Sequence, residues 1–205
     1  MNIIRTAAVT AAAVGMTIVS LGSAAATPAA AATPAAPKFL SASQLPAAST
    51  SWVAGAVKQG LPASQSPCTA GAVPKAGTKY RDFRTDLDTN ARQTITVAAT
   101  EAKAKELAAK IRSSVARCLM RLQMADPGLE GEEFYHGKVD VAAGAHIYSV
   151  DTNHPEIGSV DINLFAIGRD GKAVTVVQWG QLGSLDGAPL KGFKKTAGVA
   201  VGKLY

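Results

Sequence analysis

Residues 159–180 read SVDINLFAIGRDGKAVTVVQWG. Two runs rich in β-branched and apolar side chains, 159–168 and 172–180, flank Asp170-Gly171. A tight hairpin turn wants residues that accept positive φ, and Asp-Gly supplies them. The stretch therefore predicts two neighbouring antiparallel strands. Val174, Val176 and Val177 predict that the second is mostly buried. Working outward, 134–141 and 145–151 are weaker strand-like runs before it. Residues 79–86 and 92–99 read as another pair around the turn Leu87-Asp88-Thr89-Asn90. In the latter run Gln93, Ile95, Val97 and Ala99 share one face, and Thr94 and Thr96 the other.

The clearest helix spans 101–124. Thr100 suits the N-cap. Leu107, Ile111, Val115, Cys118 and Leu122 form an apolar stripe, with Lys103, Lys105, Lys110, Arg112, Arg117 and Arg121 largely off it. Asp126-Pro127-Gly128 ends it. At the C-terminal end, Leu190, Phe193, Ala197, Val201 and Leu204 recur at helical spacing after Pro189. Near the start of the folded part, 39–46 reads as a short capped helical turn, 49–59 as a second short helix, and 60–74 as a Gly/Pro/Ser/Ala loop. The expected fold is α+β: a mostly antiparallel sheet with the long helix and the C-terminal helix packed on one face, a single-domain α/β sandwich.

The chain opens Met1-Asn2-Ile3-Ile4-Arg5, followed by an uncharged apolar stretch to Gly22 and Ala24-Ala25-Ala26. This predicts a secretory signal peptide over 1–26. A Pro/Ala/Thr-rich spacer is expected over 27–37 and the functional domain over 38–205. The apolar stretch is close to the roughly 20-residue minimum for a spanning helix. Its small-residue exit suits cleavage, and no cysteine follows it for lipid attachment. The expectation is a secreted, extracellular product without a stable membrane anchor. The two cysteines, Cys68 and Cys118, have one possible pairing. An oxidising compartment favours that disulfide, which closes a loop of about 50 residues; two buried thiols are the alternative.

The formal net charge is +6, but basic and acidic residues are interspersed and aromatic residues make up only 5% of the chain. A nucleic-acid interface would cluster its cations and interleave stacking rings; none is expected. Asp86-Leu87-Asp88-Thr89-Asn90 opens like a calcium loop, but Ala91 and Val97 stand where Gly and Glu belong. His136, His146 and His154 lack zinc-ligand spacing. No metal or cofactor is expected. There is no G-x-S-x-G elbow, and Glu130, Glu132 and Glu133 lack the aromatic groove of a glycosidase. No catalytic residue is assigned. The residues singled out for ligand contact are Trp179 and Gln178, at a strand end beside Gly180, and His136 and His146, flanking the turn at 142–144.

The opening Phe39-Leu40-Ser41-Ala42-Ser43-Gln44-Leu45-Pro46, the strand Thr94-Ile95-Thr96-Val97 leading into the helix with Cys118 near its end, Arg169-Asp170-Gly171 before Val174-Thr175-Val176-Val177, and the closing helix occur in an order and spacing that resemble the PknH-like extracellular sensor domain of actinobacterial kinases and its secreted relatives. The resemblance covers most of 39–205. It implies an α/β sandwich with a cleft for an unidentified extracellular ligand, and supplies no catalytic residues. The chain departs from that family in having no kinase part and one cysteine pair rather than two. The expected function is a secreted, non-catalytic ligand-binding or sensor-type domain. Its partner would be a small molecule or cell-wall component, with the oligomeric state open. The alternative is a secreted hydrolase or protease inhibitor acting on wall or protein substrates.

Overall fold

The hairpin expected at 159–180 forms and lies inside an eight-stranded sheet. The computed structural model describes residues 35–205; the expected leader (1–26) and residues 27–34 of the expected spacer lie outside the described residues. The strands are β1 (Val53–Ala54), β2 (Lys58–Gln59), β3 (Thr78–Arg84), β4 (Asn90–Val97), β5 (Glu130–Val139), β6 (Ala145–His154), β7 (Ser159–Asp170) and β8 (Ala173–Leu182). The helices are α1 (Glu101–Val115), α2 (Cys118–Ala125) and α3 (Leu190–Gly202). The sheet order is β1-β3-β4-β8-β7-β6-β5, with β2 also on β3. Every pairing is antiparallel. The α+β class is as expected. At the β7–β8 turn Asp170 still pairs with Ala173, and Gly171 takes the positive φ, 45°. Glycine carries that conformation without the Cβ clash other residues meet there.

One part of the expected layout is corrected: the helices lie on opposite faces of the sheet. Side chains alternate along a strand, and the two halves of the core follow that alternation. Ile162, Leu164 and Ala166 of β7, with Ala173, Val177 and Trp179 of β8, pack in one cluster with Phe193, Ala197 and Val201 of α3. Phe165 and Ile167, with Val174 and Val176, pack in the other with Ala104, Ile111 and Val115 of α1. A central strand that is apolar on both sides can hold a helix on each, so the long Val-rich run of β8 is what permits three layers. On the α3 side, Gly168 lets the helix approach closely, since a Cβ there would collide with Cγ2 of Val201. The segment at Leu40 crosses this face too. The fully buried Gln93 accepts from the Leu40 backbone N–H through Oε1 (2.7 Å) and donates to Thr175 Oγ1 (3.1 Å).

Two local expectations are also corrected. Residues 49–59 form no helix. Val53 and Ala54 pair with Arg84 and Phe83, and Lys58 and Gln59 with Tyr80 and Lys79. The open edge of β3 has backbone groups to satisfy, and a short segment interrupted by Gly55 gains more by pairing there than by closing an isolated helical turn. The helix over 101–124 is interrupted at Ala116 and Arg117, where Arg117 leaves helical geometry (φ −137°, ψ 20°). The apolar stripe continues through the break, so periodicity could not reveal it. The second helix finds its cap in tertiary structure: Glu133 on β5 accepts from the Leu119 N–H at 3.1 Å.

Cys68 and Cys118 are disulfide-bonded, with Cα atoms 4.8 Å apart. The bond fastens the 60–74 loop to the α1 side of the sheet. Further ties hold it: Ser114 donates to Cys68 O (2.8 Å), and Lys110 to Gly71 O (3.0 Å). Among the described residues, no helix is long and apolar enough to cross a membrane.

Candidate functional site

On the α1 side, a groove runs between that helix and strands β6 and β7. Lys105, Ala108 and Arg112 are three to seven positions apart and so share one helix face. They form one wall. His146 on β6, with Ile167 and Arg169 on β7, forms the floor, and Ala143 and Gly144 close the end. The cavity measures about 140 Å³. His146 and Ile167 are register partners, which places the imidazole on the same face as the Ile167 side chain.

His146 is held from both sides. An Arg112 Nη lies 2.7 Å from its Nε2, and the Tyr135 hydroxyl lies 2.9 Å from its Nδ1. Guanidinium groups only donate, so Nε2 accepts and the ring proton sits on Nδ1, donated to Tyr135. The Tyr135 ring stacks on the imidazole at 5.8 Å and tilts against Tyr148 at 5.0 Å. Burial lowers the His146 pKa from the ordinary imidazole value, and the charges of Arg112 and Lys138 add to that. The Tyr148 phenol is raised, chiefly by burial. The site thus presents Lys105, Arg112 and Arg169 around a neutral imidazole, with no carboxylate in its lining. Arg112 keeps its Nε buried without a partner, and Arg169 turns one Nη to the Gly171 carbonyl (3.0 Å). The end of the groove is a tight turn in which Ala142 takes a left-handed φ of 45°, unusual for a residue with a side chain.

The four residues singled out from the sequence do not form one site. His136, on β5, pairs its Nε2 with the buried Ser149 hydroxyl (2.8 Å) and faces the α3 side; burial and then Lys194 lower its pKa. His146 faces the α1 side. The histidines are on adjacent strands, yet the sheet separates them. Trp179 has 1% exposure and belongs to the core under α3, which removes it from the ligand-contact set. Its indole N–H is buried without a partner. Gln178 points the opposite way. It lines a second, polar groove of about 410 Å³ with Ser64, Ser66, Asp82, Asn90 and Arg92, beneath the disulfide-held loop. There Arg92 is paired with Asp82 and donates to Ser64 O, so its charge is already spent.

The acidic run 130–133 is part of β5, with Glu133 consumed as the α2 cap. The calcium-like segment 86–90 spans the β3–β4 turn, where Asp88 accepts from the Leu182 N–H (3.0 Å). Among the described residues, no group of three or more His, Cys, Asp or Glu side chains is placed to hold a metal ion. Lys105, Arg112, Arg169 and Tyr135 were missed from the sequence. Lys105 and Arg112 had only their position off the apolar stripe as a signal, which solvated lysines and arginines share. In comparisons with known proteins, no family model, no curated protein and no solved structure matches the chain.

Proposed function

We propose that the chain is a secreted, non-catalytic ligand-binding domain of the sensor type, and that the groove around His146 is its binding site. One observation carries the reading: three cationic side chains and a neutral, doubly anchored imidazole converge on a preformed cavity. Preformed concave sites with a few convergent polar groups are where small ligands bind. The leader-like residues 1–26, the Cys68–Cys118 disulfide and an order of sequence segments that resembles PknH-like sensor domains support the export and sensor parts of the reading. A hydrolase is disfavoured because His136 and His146 lie on opposite faces of the sheet, each already hydrogen-bonded, and Glu133 is engaged as the α2 cap.

The experiment is a chemical-shift screen of small soluble ligands against the isotopically labelled protein. Binding at the groove perturbs the backbone resonances of 105–112, 143–146 and 167–169 together. A screen whose hits all map elsewhere removes the site. Export is checked by the N-terminal residue of protein recovered from the culture medium; recovery only from cells, with Met1 intact, overturns it. The 60–74 loop favours one second reading, a protease inhibitor, because it is tied down by a disulfide and by side chains that include Ser114, Lys110, Arg121 and Arg92. Rapid cleavage of that loop by added proteases would dispose of it.

A further inference from the structure

Resting on that site, we propose that the groove between α1 and the β6–β7 strands binds a compact, multiply charged oxyanion of the phosphate type, either free or as the terminal group of a phosphate monoester. Lys105, Arg112 and Arg169 give the lining three permanent positive charges and no negative one. Lys138, beside the Gly144 end of the groove, is paired with the exposed Asp140 at 3.6 Å, and neither residue is part of the lining. Three cations held around one cavity repel each other, and the fold tolerates them because solvent and counterions screen the repulsion. A ligand of charge −2 compensates them far better than a carboxylate of charge −1 or a neutral sugar.

The donor geometry points the same way. Guanidinium groups donate in a planar fork that matches two oxygens of a tetrahedral oxyanion, and an ammonium adds a point charge beside it. Arg112 already has one Nη on His146 and its Nε unpartnered, so the guanidinium is fixed in place but not saturated. His146 adds a reserve. An anion in the groove favours the imidazolium, whose Nε2–H then donates in place of accepting from Arg112, freeing that Arg112 N–H for the ligand. The volume of about 140 Å³ exceeds what one phosphate group fills, and Lys105 and Ala143 at the mouth are exposed. A substituent on the phosphate therefore has a way out to solvent.

The test is a titration followed by backbone chemical shifts at low ionic strength, with inorganic phosphate, glucose 6-phosphate, acetate and glucose as probes. Phosphate and glucose 6-phosphate are expected to shift the 105–112, 143–146 and 167–169 resonances, acetate and glucose not. Tighter binding of glucose 6-phosphate assigns the groove to an esterified phosphate, and equal binding to the free ion. Arg112→Gln and Lys105→Gln should each weaken binding about tenfold, the loss of one charge-assisted contact. Lys191→Gln, on the exposed surface of α3 across the sheet, should leave it within about twofold. Lys105 is exposed, so its substitution reads out binding even if Arg112→Gln disturbs the fold. Acetate or glucose shifting the groove as strongly as phosphate, or an unchanged affinity in Lys105→Gln, overturns the oxyanion while leaving a binding site. Silence of the groove toward all four probes, with hits from the wider ligand screen mapping elsewhere, overturns both.

Discussion

Arg112 and His146 stand 34 positions apart in the chain, and their side chains meet at 2.7 Å across the interface between α1 and β6. The arginine thereby dictates which imidazole nitrogen carries the proton and, with burial, keeps the ring neutral. A cation against a histidine is unfavourable once that histidine is protonated, so the contact has consequences for stability.

The first consequence is a pH dependence. His146 and His136 both have folded-state pKa values below the ordinary imidazole value of about 6.5. Between the folded and unfolded values the unfolded chain binds more protons, so stability rises with pH. The contribution is fully present above about pH 6.5 and is lost as pH falls through the folded-state values. The groups facing His146 are Lys105 and Arg112 from α1, Tyr135 and Lys138 from β5, Tyr148 from β6 and Arg169 from β7. Denaturant midpoints should fall between about pH 7 and about pH 5, and fall less in His146→Gln. An equal slope in the variant shows that His146 carries none of the effect.

The disulfide should hold the 60–74 loop and the α1–α2 break together. Intact protein should gain the mass of two protons on reduction. Unfolding free energies from denaturant titrations with and without reductant should differ by up to about 4 kcal/mol, the chain-entropy value for a loop of this size. No mass difference would mean that the thiols are free in the isolated protein.

Gly168 is where α3 comes closest to the sheet. Gly168→Ala places a methyl group against Cγ2 of Val201, inside a packed core. The expected cost is about 1–3 kcal/mol by thermal or chemical denaturation. The paired variant Gly168→Ala with Val201→Ala should recover part of the loss in strain, and a cost equal to the sum of the single changes would show that the two sites are independent.

Ala142 offers the opposite sign. Its left-handed φ costs a non-glycine residue about 1–2 kcal/mol. Ala142→Gly relieves this strain but adds unfolded-state entropy, leaving a net gain of about 0.5–1 kcal/mol. A melting temperature below that of the wild type would indicate that the turn is shaped by contacts of the Ala142 methyl group.

The local physics was legible in residues 159–180, in the 101–124 stripe and in the closing helix, because burial writes period 2 or 3.6 into a sequence. An Asp-Gly pair between two apolar runs fixed the central hairpin, and two cysteines left only one pairing. What the sequence left open was everything set by partners distant in the chain. The α1–α2 break depends on Glu133 arriving from β5. The extended path of 53–59 depends on an open edge at β3. The separation of His136 from His146 depends on which face of the sheet each strand turns outward, whereas consecutive Gln178 and Trp179 part by strand alternation alone. The groove is the clearest case: Lys105, Arg112, His146 and Arg169 come from a helix and two strands. Each alone reads as an ordinary surface or sheet residue, and only packing α1 across β6 and β7 brings their charges onto one cavity.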